Sequence, residues 1–169
     1  MYQPWKNENG TSLIELVIVA VLIGVLSAMA VPRWLEYLPQ MRTKAAARDA
    51  VSTLREARSR AISQKVPYGV YFDTERGACV MFCDTDSPGA NTYVESDSTV
   101  MTRTIAHDVR MGYSTFTNNA VFFQPSGEAS MTGALTLTSE NYRTTLVIDV
   151  LAGTGRVKLS EQADGYQTL

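Results

Sequence analysis

Residues 12–31 read SLIELVIVAVLIGVLSAMAV, twenty positions that carry a single charge, Glu15. As a helix rising 1.5 Å per residue, a segment of this length covers roughly the 30 Å hydrocarbon core of a bilayer. Val, Ile, Leu and Ala fall on every face, which excludes an amphipathic helix lying on a surface. A removable secretory signal is the competing reading, with Lys6 as its basic region and Ala28-Met29-Ala30 as its cleavage site. The run is longer than the usual signal core of about 7 to 15 residues and contains a carboxylate, and both features argue against that reading.

Glu15 needs a physical explanation, because an acidic group at mid-depth in a membrane helix costs on the order of 3 kcal/mol, and less near the interface. Such a group ordinarily has a partner. If the chain is cut after Gly10, Thr11 acquires an amino group four residues before Glu15. That amine lies within a helical turn's reach, on the same subunit or a neighbouring one.

Gly10-Thr11-Ser12-Leu13-Ile14-Glu15-Leu16, the apolar run and Val31-Pro32 together resemble the N-terminal signal of type IV pilins and pseudopilins. The resemblance implies that a membrane prepilin peptidase cuts between Gly10 and Thr11 and methylates the new N-terminus. It also implies that Glu15 is the assembly glutamate and that Pro32 kinks the helix. Thr11 stands where phenylalanine is usual in the family. Flanking charge does not fix the orientation. Lys6 and Glu8 cancel, and by the positive-inside rule Arg33, Arg42 and Lys44 favour the opposite topology. The resemblance implies a cytoplasmic leader, 1–10, and an exported head.

Beyond Pro32 and a break expected at Pro39, Ala47, Ala50, Val51, Leu54, Ala57, Ala61 and Ile62 recur at helical spacing, opposite Arg48, Arg55, Glu56 and Arg60. Residues 32–65 therefore read as an amphipathic stem continuing the membrane helix, 11–31. Its small alanines let a sheet approach closely. From residue 66 onward, β-branched and aromatic segments alternate with Gly, Pro, Asn and Asp. Strands are expected at 68–72, 79–83, 100–105, 120–124, 134–138, 145–150 and 156–159. The expected fold is α+β: a long N-terminal helix packed on an antiparallel, sandwich-like head, 66–169.

Charge divides sharply along the chain. Residues 32–65 hold eight Lys or Arg against three Asp or Glu, whereas residues 66–169 hold six against twelve. An acidic head argues against nucleic acid as a partner, since phosphate backbones reward clustered Lys and Arg. The basic stem face reads either as a solvated surface or as a contact for the acidic heads of neighbouring subunits, and Arg33 suits lipid phosphates.

Head and stem together sharpen the resemblance to the GspH/FimT pseudopilins. It is carried by Leu54-Arg55-Glu56-Ala57-Arg58-Ser59-Arg60-Ala61-Ile62, by Phe123-Gln124-Pro125-Ser126-Gly127 and by Gly155-Arg156-Val157. Pro125, Gly127, Gly153 and Gly155 are turn formers, and a structural role accounts for them. The family implies a pilin-like fold and a minor subunit of a type II secretion pseudopilus or type IV pilus. It further implies an inner-membrane anchor, a periplasmic head, other pilins as neighbours, and an assembly platform with a partner ATPase. The alternative is a FimT-like minor pilin that binds DNA for natural transformation through Arg156 and Lys158, opposed by nearby Asp149, Glu161 and Asp164.

Nothing in the sequence marks an enzyme, and an enzyme on an uncleaved anchor lacks a reactive constellation. His107, beside Asp108, is the only histidine, and Walker A, dinucleotide and HExxH motifs are absent, so no cofactor is expected. Asp84, Asp86, Glu95 and Asp97 lack EF-hand spacing and read as a solvated loop before a calcium site. In a straight strand Cys79 and Cys83 stand roughly 13 Å apart, so a disulfide requires a turn or bulge. Two buried free thiols are the alternative, and without a second Cys pair or His cluster zinc has little support.

Overall fold

In the computed structural model, residues 12–84, 92–94, 97–106, 108–139 and 144–162 are described, the side chain of residue 36 excepted. A single helix, α1, spans Leu13–Gln64. Its bonding starts at Ser12, whose carbonyl accepts from the Glu15 and Leu16 N–H groups at 2.9 and 3.2 Å. The break expected at Pro39 is not found, because α1 continues across both Pro32 and Pro39. Each proline removes one backbone donor, and the bonds on either side sustain the helix. Thr43 Oγ1 donates to the Pro39 carbonyl at 2.8 Å.

The chain forms two compact units, residues 1–38 and 39–169. The described part of the first is helical from Leu13 on and exposes its apolar side chains all round, from Leu13 and Ile14 to Met29 and Val31. Trp34 and Tyr37, also exposed, follow the run.

In the second unit, α1 buries Ala46, Ala47, Ala50, Val51, Leu54, Ala57 and Ala61. The spacing of three and four residues places them on one stripe, and the alanines keep the helix surface low against the sheets. Thr53 is buried as well, its hydroxyl satisfied by the Asp49 carbonyl at 2.9 Å. Ile62, expected on the buried face, is exposed. The helix ends where Lys65 turns to φ 61° and donates its N–H to the Ala61 carbonyl.

Eight strands follow: β1 Tyr68–Asp73, β2 Ala78–Cys83, β3 Ser98–Thr104, β4 Val109–Ser114, β5 Ala120–Phe123, β6 Gly133–Ser139, β7 Thr145–Leu151 and β8 Arg156–Gln162. They build two antiparallel sheets of four, ordered β3-β2-β1-β5 and β4-β6-β7-β8. Leu135, Leu137, Leu146, Ile148 and Val150 from the second sheet share one core with Val70, Phe72, Met81 and Val121 from the first and with the helix stripe. The expectation of a long helix on an antiparallel, α+β head is met. All seven expected strands are present, and β4 is an addition.

The first sheet is apolar on its other face too. Phe82, Ala120 and Phe122 form a second cluster, with Tyr71 and Tyr93 packed on it. Tyr93 stacks on Tyr71 with ring centroids 4.8 Å apart, and Phe122 meets Phe82 edge-on at 5.4 Å. A Cβ at Gly69 would overlap the Phe82 ring, so this glycine makes room for the aromatic layer.

Cys79 and Cys83 are both free thiols. Met81 lies between them on the core side of β2, and the bulge opposite β3, between Met81 and Phe82, does not bring them together. Burial pushes the Cys79 thiol up to about 12, against a smaller downward pull from Arg103. Burial also raises Cys83, less its hydrogen bond with Tyr68. Of the acidic loop, Asp84 and Asp97 are buried, and Asp97 Oδ2 accepts the Val94 N–H at 2.8 Å. Asp86, Glu95 and His107 lie outside the described residues, among which no metal-binding group of His, Cys, Asp and Glu occurs.

Candidate functional site

Two places bear on function. The first is the start of α1. Glu15 lies exposed in the opening turn, where the helix dipole favours a negative charge, and it makes no ion pair among the described residues. Gly10 and Thr11, the expected processing pair, lie outside the described residues. Pro32 is exposed within the helix, one residue past the apolar run.

The second place joins three stretches that are far apart in sequence. At the 124–127 turn, the Gly127 N–H donates to the Gln124 carbonyl and the Gln124 N–H donates to the Glu128 carbonyl, both at 2.8 Å. Gly127 has φ +87°, and a Cβ there would press on Ile62. Between β7 and β8, the Gly155 N–H donates to the Leu151 carbonyl at 2.8 Å, and Gly155 has φ +58°. Arg58 reaches from α1 and donates its Nε–H to the Gly127 carbonyl at 2.8 Å. A Cβ on Gly155 would collide with that same carbonyl and crowd the Arg58 side chain. Gly153 faces open space, so of the two glycines expected in this turn only Gly155 is required by the packing.

Beside this junction is an open cleft of about 690 Å³, lined by Arg55, Arg58 and Ser59 of α1 and by Thr154, Gly155 and Arg156 of the β7–β8 turn. None of the three guanidinium groups forms an ion pair among the described residues. Other stem cations do: Arg42 with Asp108 at 2.8 Å, Lys44 with Glu161 at 3.6 Å and Arg60 with Glu56 at 2.9 Å. The Glu56 hydrogen bond holds Arg60 above its usual pKa.

Arg156 and Lys158 are both exposed and, two residues apart on β8, face the same way. Arg156 pairs in register with Leu151 and Lys158 with Asp149, and all four border a second cleft of about 480 Å³. Asp149 offsets Lys158 there, whereas Arg156 also borders the first cleft, which has no carboxylate in its lining. Sequence reasoning selected Arg156 and placed Arg55 on the basic stem face, but it did not bring the two together and gave Arg58 no role of its own. The available signal for a shared helix face was spacing: Arg58 lies three residues after Arg55, Ser59 four after Arg55 and Ile62 four after Arg58.

The family described as "Type II transport protein GspH" matches residues 46–154, and the "Prokaryotic N-terminal methylation motif" matches residues 5–31. Among curated proteins, none matches the chain by sequence. Among solved structures, the chain is similar to the minor pseudopilin EpsH from the type 2 secretion system of Vibrio cholerae, at 14% identity and a TM-score of 0.53. That match covers 74% of this chain and 99% of EpsH. It is also similar to the type IV minor pilin FimU of Pseudomonas aeruginosa, at 13% identity and a TM-score of 0.57, over 72% of this chain and 90% of FimU. At these identities the likeness is one of fold. The GspH match spans most of the chain, from the buried stripe of α1 to the glycine turn before β8, and the chain therefore belongs to the type II transport protein GspH family.

Proposed function

We propose that this chain is a minor pseudopilin or pilin subunit whose work is assembly, cut by prepilin peptidase between Gly10 and Thr11 and methylated at Thr11. In this reading residues 11–31 hold it in the inner membrane as a single span, with Pro32 as the kink. The head, 66–169, stands in the periplasm until the platform and its ATPase draw the subunit into a type II secretion pseudopilus or type IV pilus. Arg33, Trp34 and Tyr37 directly follow the run and suit the lipid headgroup zone, where basic and aromatic side chains are favoured.

One observation carries the reading: the exposed apolar helix holds a single charge, Glu15, in its first turn and four residues after Thr11. A cleaved N-terminus supplies the cation that such a carboxylate needs in a low-dielectric setting. Glu15→Ala is expected to leave membrane insertion unchanged and to abolish recovery of the subunit in filaments. Normal incorporation of the variant refutes the role of Glu15, and an N-terminal peptide of the native protein that begins elsewhere than Thr11 refutes the processing.

The competing reading, DNA capture for transformation, draws on the exposed pair Arg156 and Lys158. Asp149 in register with Lys158, and the acidic excess of the head, weigh against it.

A further inference from the structure

We propose that the cleft between the last turns of α1 and the β7–β8 turn binds carboxylates, and that its occupant is an acidic segment of a neighbouring filament subunit. The inference rests on the assembly reading above and deepens it.

The cleft is built rather than incidental. Arg58 is held by its Nε–H on the Gly127 carbonyl, and the other four of its five N–H groups make no hydrogen bond among the described residues. Arg55 and Arg156 approach from the helix and from the strand turn, and the Ser59 and Thr154 hydroxyls add neutral donors. Gly155 is the position at which a side chain would push the two walls apart.

Three cations bordering one recess repel each other, and nothing in its lining offsets them. Of the carboxylates nearby in sequence, Glu56 binds Arg60, while Glu128 accepts from the Ser126 hydroxyl at 3.3 Å and forms no ion pair with the cleft arginines among the described residues. Guanidinium groups pair with carboxylates through two parallel hydrogen bonds, so one or two Asp or Glu side chains would satisfy the recess with defined geometry. Its volume of about 690 Å³ exceeds what a lone inorganic anion fills and suits a short stretch of peptide.

Charge indicates the occupant. Residues 66–169 carry twelve acidic against six basic side chains, whereas residues 32–65 carry eight basic against three acidic. A head of this composition on an adjacent subunit complements the cleft. Nucleic acid fits less well, because its regularly spaced phosphates call for a continuous basic track, and Asp149 interrupts the track beyond Arg156.

The test uses the isotope-labelled full chain in nanodiscs of zwitterionic lipid, with hexaglutamate peptide as the probe. Binding is expected to shift the Ser59 and Thr154 amide resonances and to weaken with salt. It should weaken about ten-fold or more in the Arg55→Gln/Arg156→Gln double variant, as loss of charge-assisted contacts predicts. Arg48→Gln, a stem cation outside the cleft lining, should leave the affinity unchanged. Equal affinity in the double variant and in Arg48→Gln overturns the site. A single-stranded oligonucleotide of equal charge that binds these residues more tightly than the peptide overturns the assignment to a protein partner. In cells, Arg156→Glu should lower filament incorporation while cleavage at Thr11 proceeds, and unchanged incorporation counts against the site. A negative result in the binding test with normal processing removes the cleft and leaves the pilin reading standing. Absence of cleavage at Thr11 in the native chain removes that reading whatever the cleft binds.

Discussion

Replacing Gly155 by alanine tests whether the junction of α1 with the two glycine turns organises the head. Gly155 has φ +58°, where a β-carbon costs about 1 kcal/mol relative to glycine. The added carbon would also overlap the Gly127 carbonyl, and backbone cannot swing aside as a flexible side chain can. Relief requires the 124–127 turn to move away, which breaks the bond from Arg58 Nε. A hydrogen bond from a charged donor contributes about 1.5–3 kcal/mol, so the total cost is about 2.5–4 kcal/mol. Domains are stable by only about 5–15 kcal/mol, and the melting temperature should fall by on the order of 10 °C.

The assay is denaturant and thermal unfolding of residues 39–169, the second compact unit. Both tryptophans, Trp5 and Trp34, precede it, so tyrosine fluorescence reports on the head alone. Gly153→Ala is the internal control, because a Cβ there meets nothing, and its effect should stay within about 0.5 kcal/mol. Arg58→Met keeps the apolar stem and loses the donor. Combined with Gly155→Ala it should cost less than the sum of the two single changes, by about 1.5–3 kcal/mol, the contribution of the one bond that both break. Equal effects at positions 153 and 155, or strict additivity with Arg58→Met, would refute the coupling.

Two further outcomes follow from single residues. Lys65 ends α1 at φ 61°, so Lys65→Gly should stabilise the head by about 0.5–1 kcal/mol in the same unfolding assay. Cys79 is buried as a neutral thiol and titrates near 12, while its unfolded counterpart ionises near 9. The unfolded chain therefore loses this proton first. The Cys79 contribution is intact below about pH 9 and declines by about 1.4 kcal/mol per pH unit as the pH rises towards 12. Cys79→Ala should flatten that alkaline limb of stability against pH.

The apolar run was legible because a bilayer sets a length that few other environments require, and Glu15 stood out within it for the same reason. Most strands were legible through alternation: Leu135 and Leu137, or Leu146, Ile148 and Val150, are buried at every second position. β4 fails that test. After Val109 and Met111 are buried, Gly112 and Tyr113 are both exposed, and its register against β6 shifts between Met111 and Ser114. A bulge hides a strand by breaking the period that reveals one. Pro39 misled in the other direction, since one missing donor weakens a long helix locally without ending it. The turn glycines carried a subtler ambiguity. Gly153 and Gly155 are equivalent in sequence, and only the approach of the Gly127 carbonyl distinguishes them.

The basic cleft could not be read from spacing, because Arg58 and Gly155 are separated by nearly the whole head and no local period links them. What the sequence did show was the imbalance that the cleft expresses, a basic stem before an acidic head. Within the described residues, two sets of charges lack counter-ions at places where solvation is restricted or like charges crowd: Glu15 on the apolar helix, and Arg55, Arg58 and Arg156 around one recess. A fold that needed only to be stable gains little from either arrangement, since pairing or removing those charges would relieve the cost. Both arrangements become favourable when the counter-charge arrives from outside, as an amine created by cleavage or a carboxylate on a neighbour. On the proposed assembly reading, that dependence would give register as well as affinity: a misplaced subunit would leave Glu15 unpaired in an apolar setting or the three arginines of the recess without a counter-charge, and either error would oppose assembly in the wrong position.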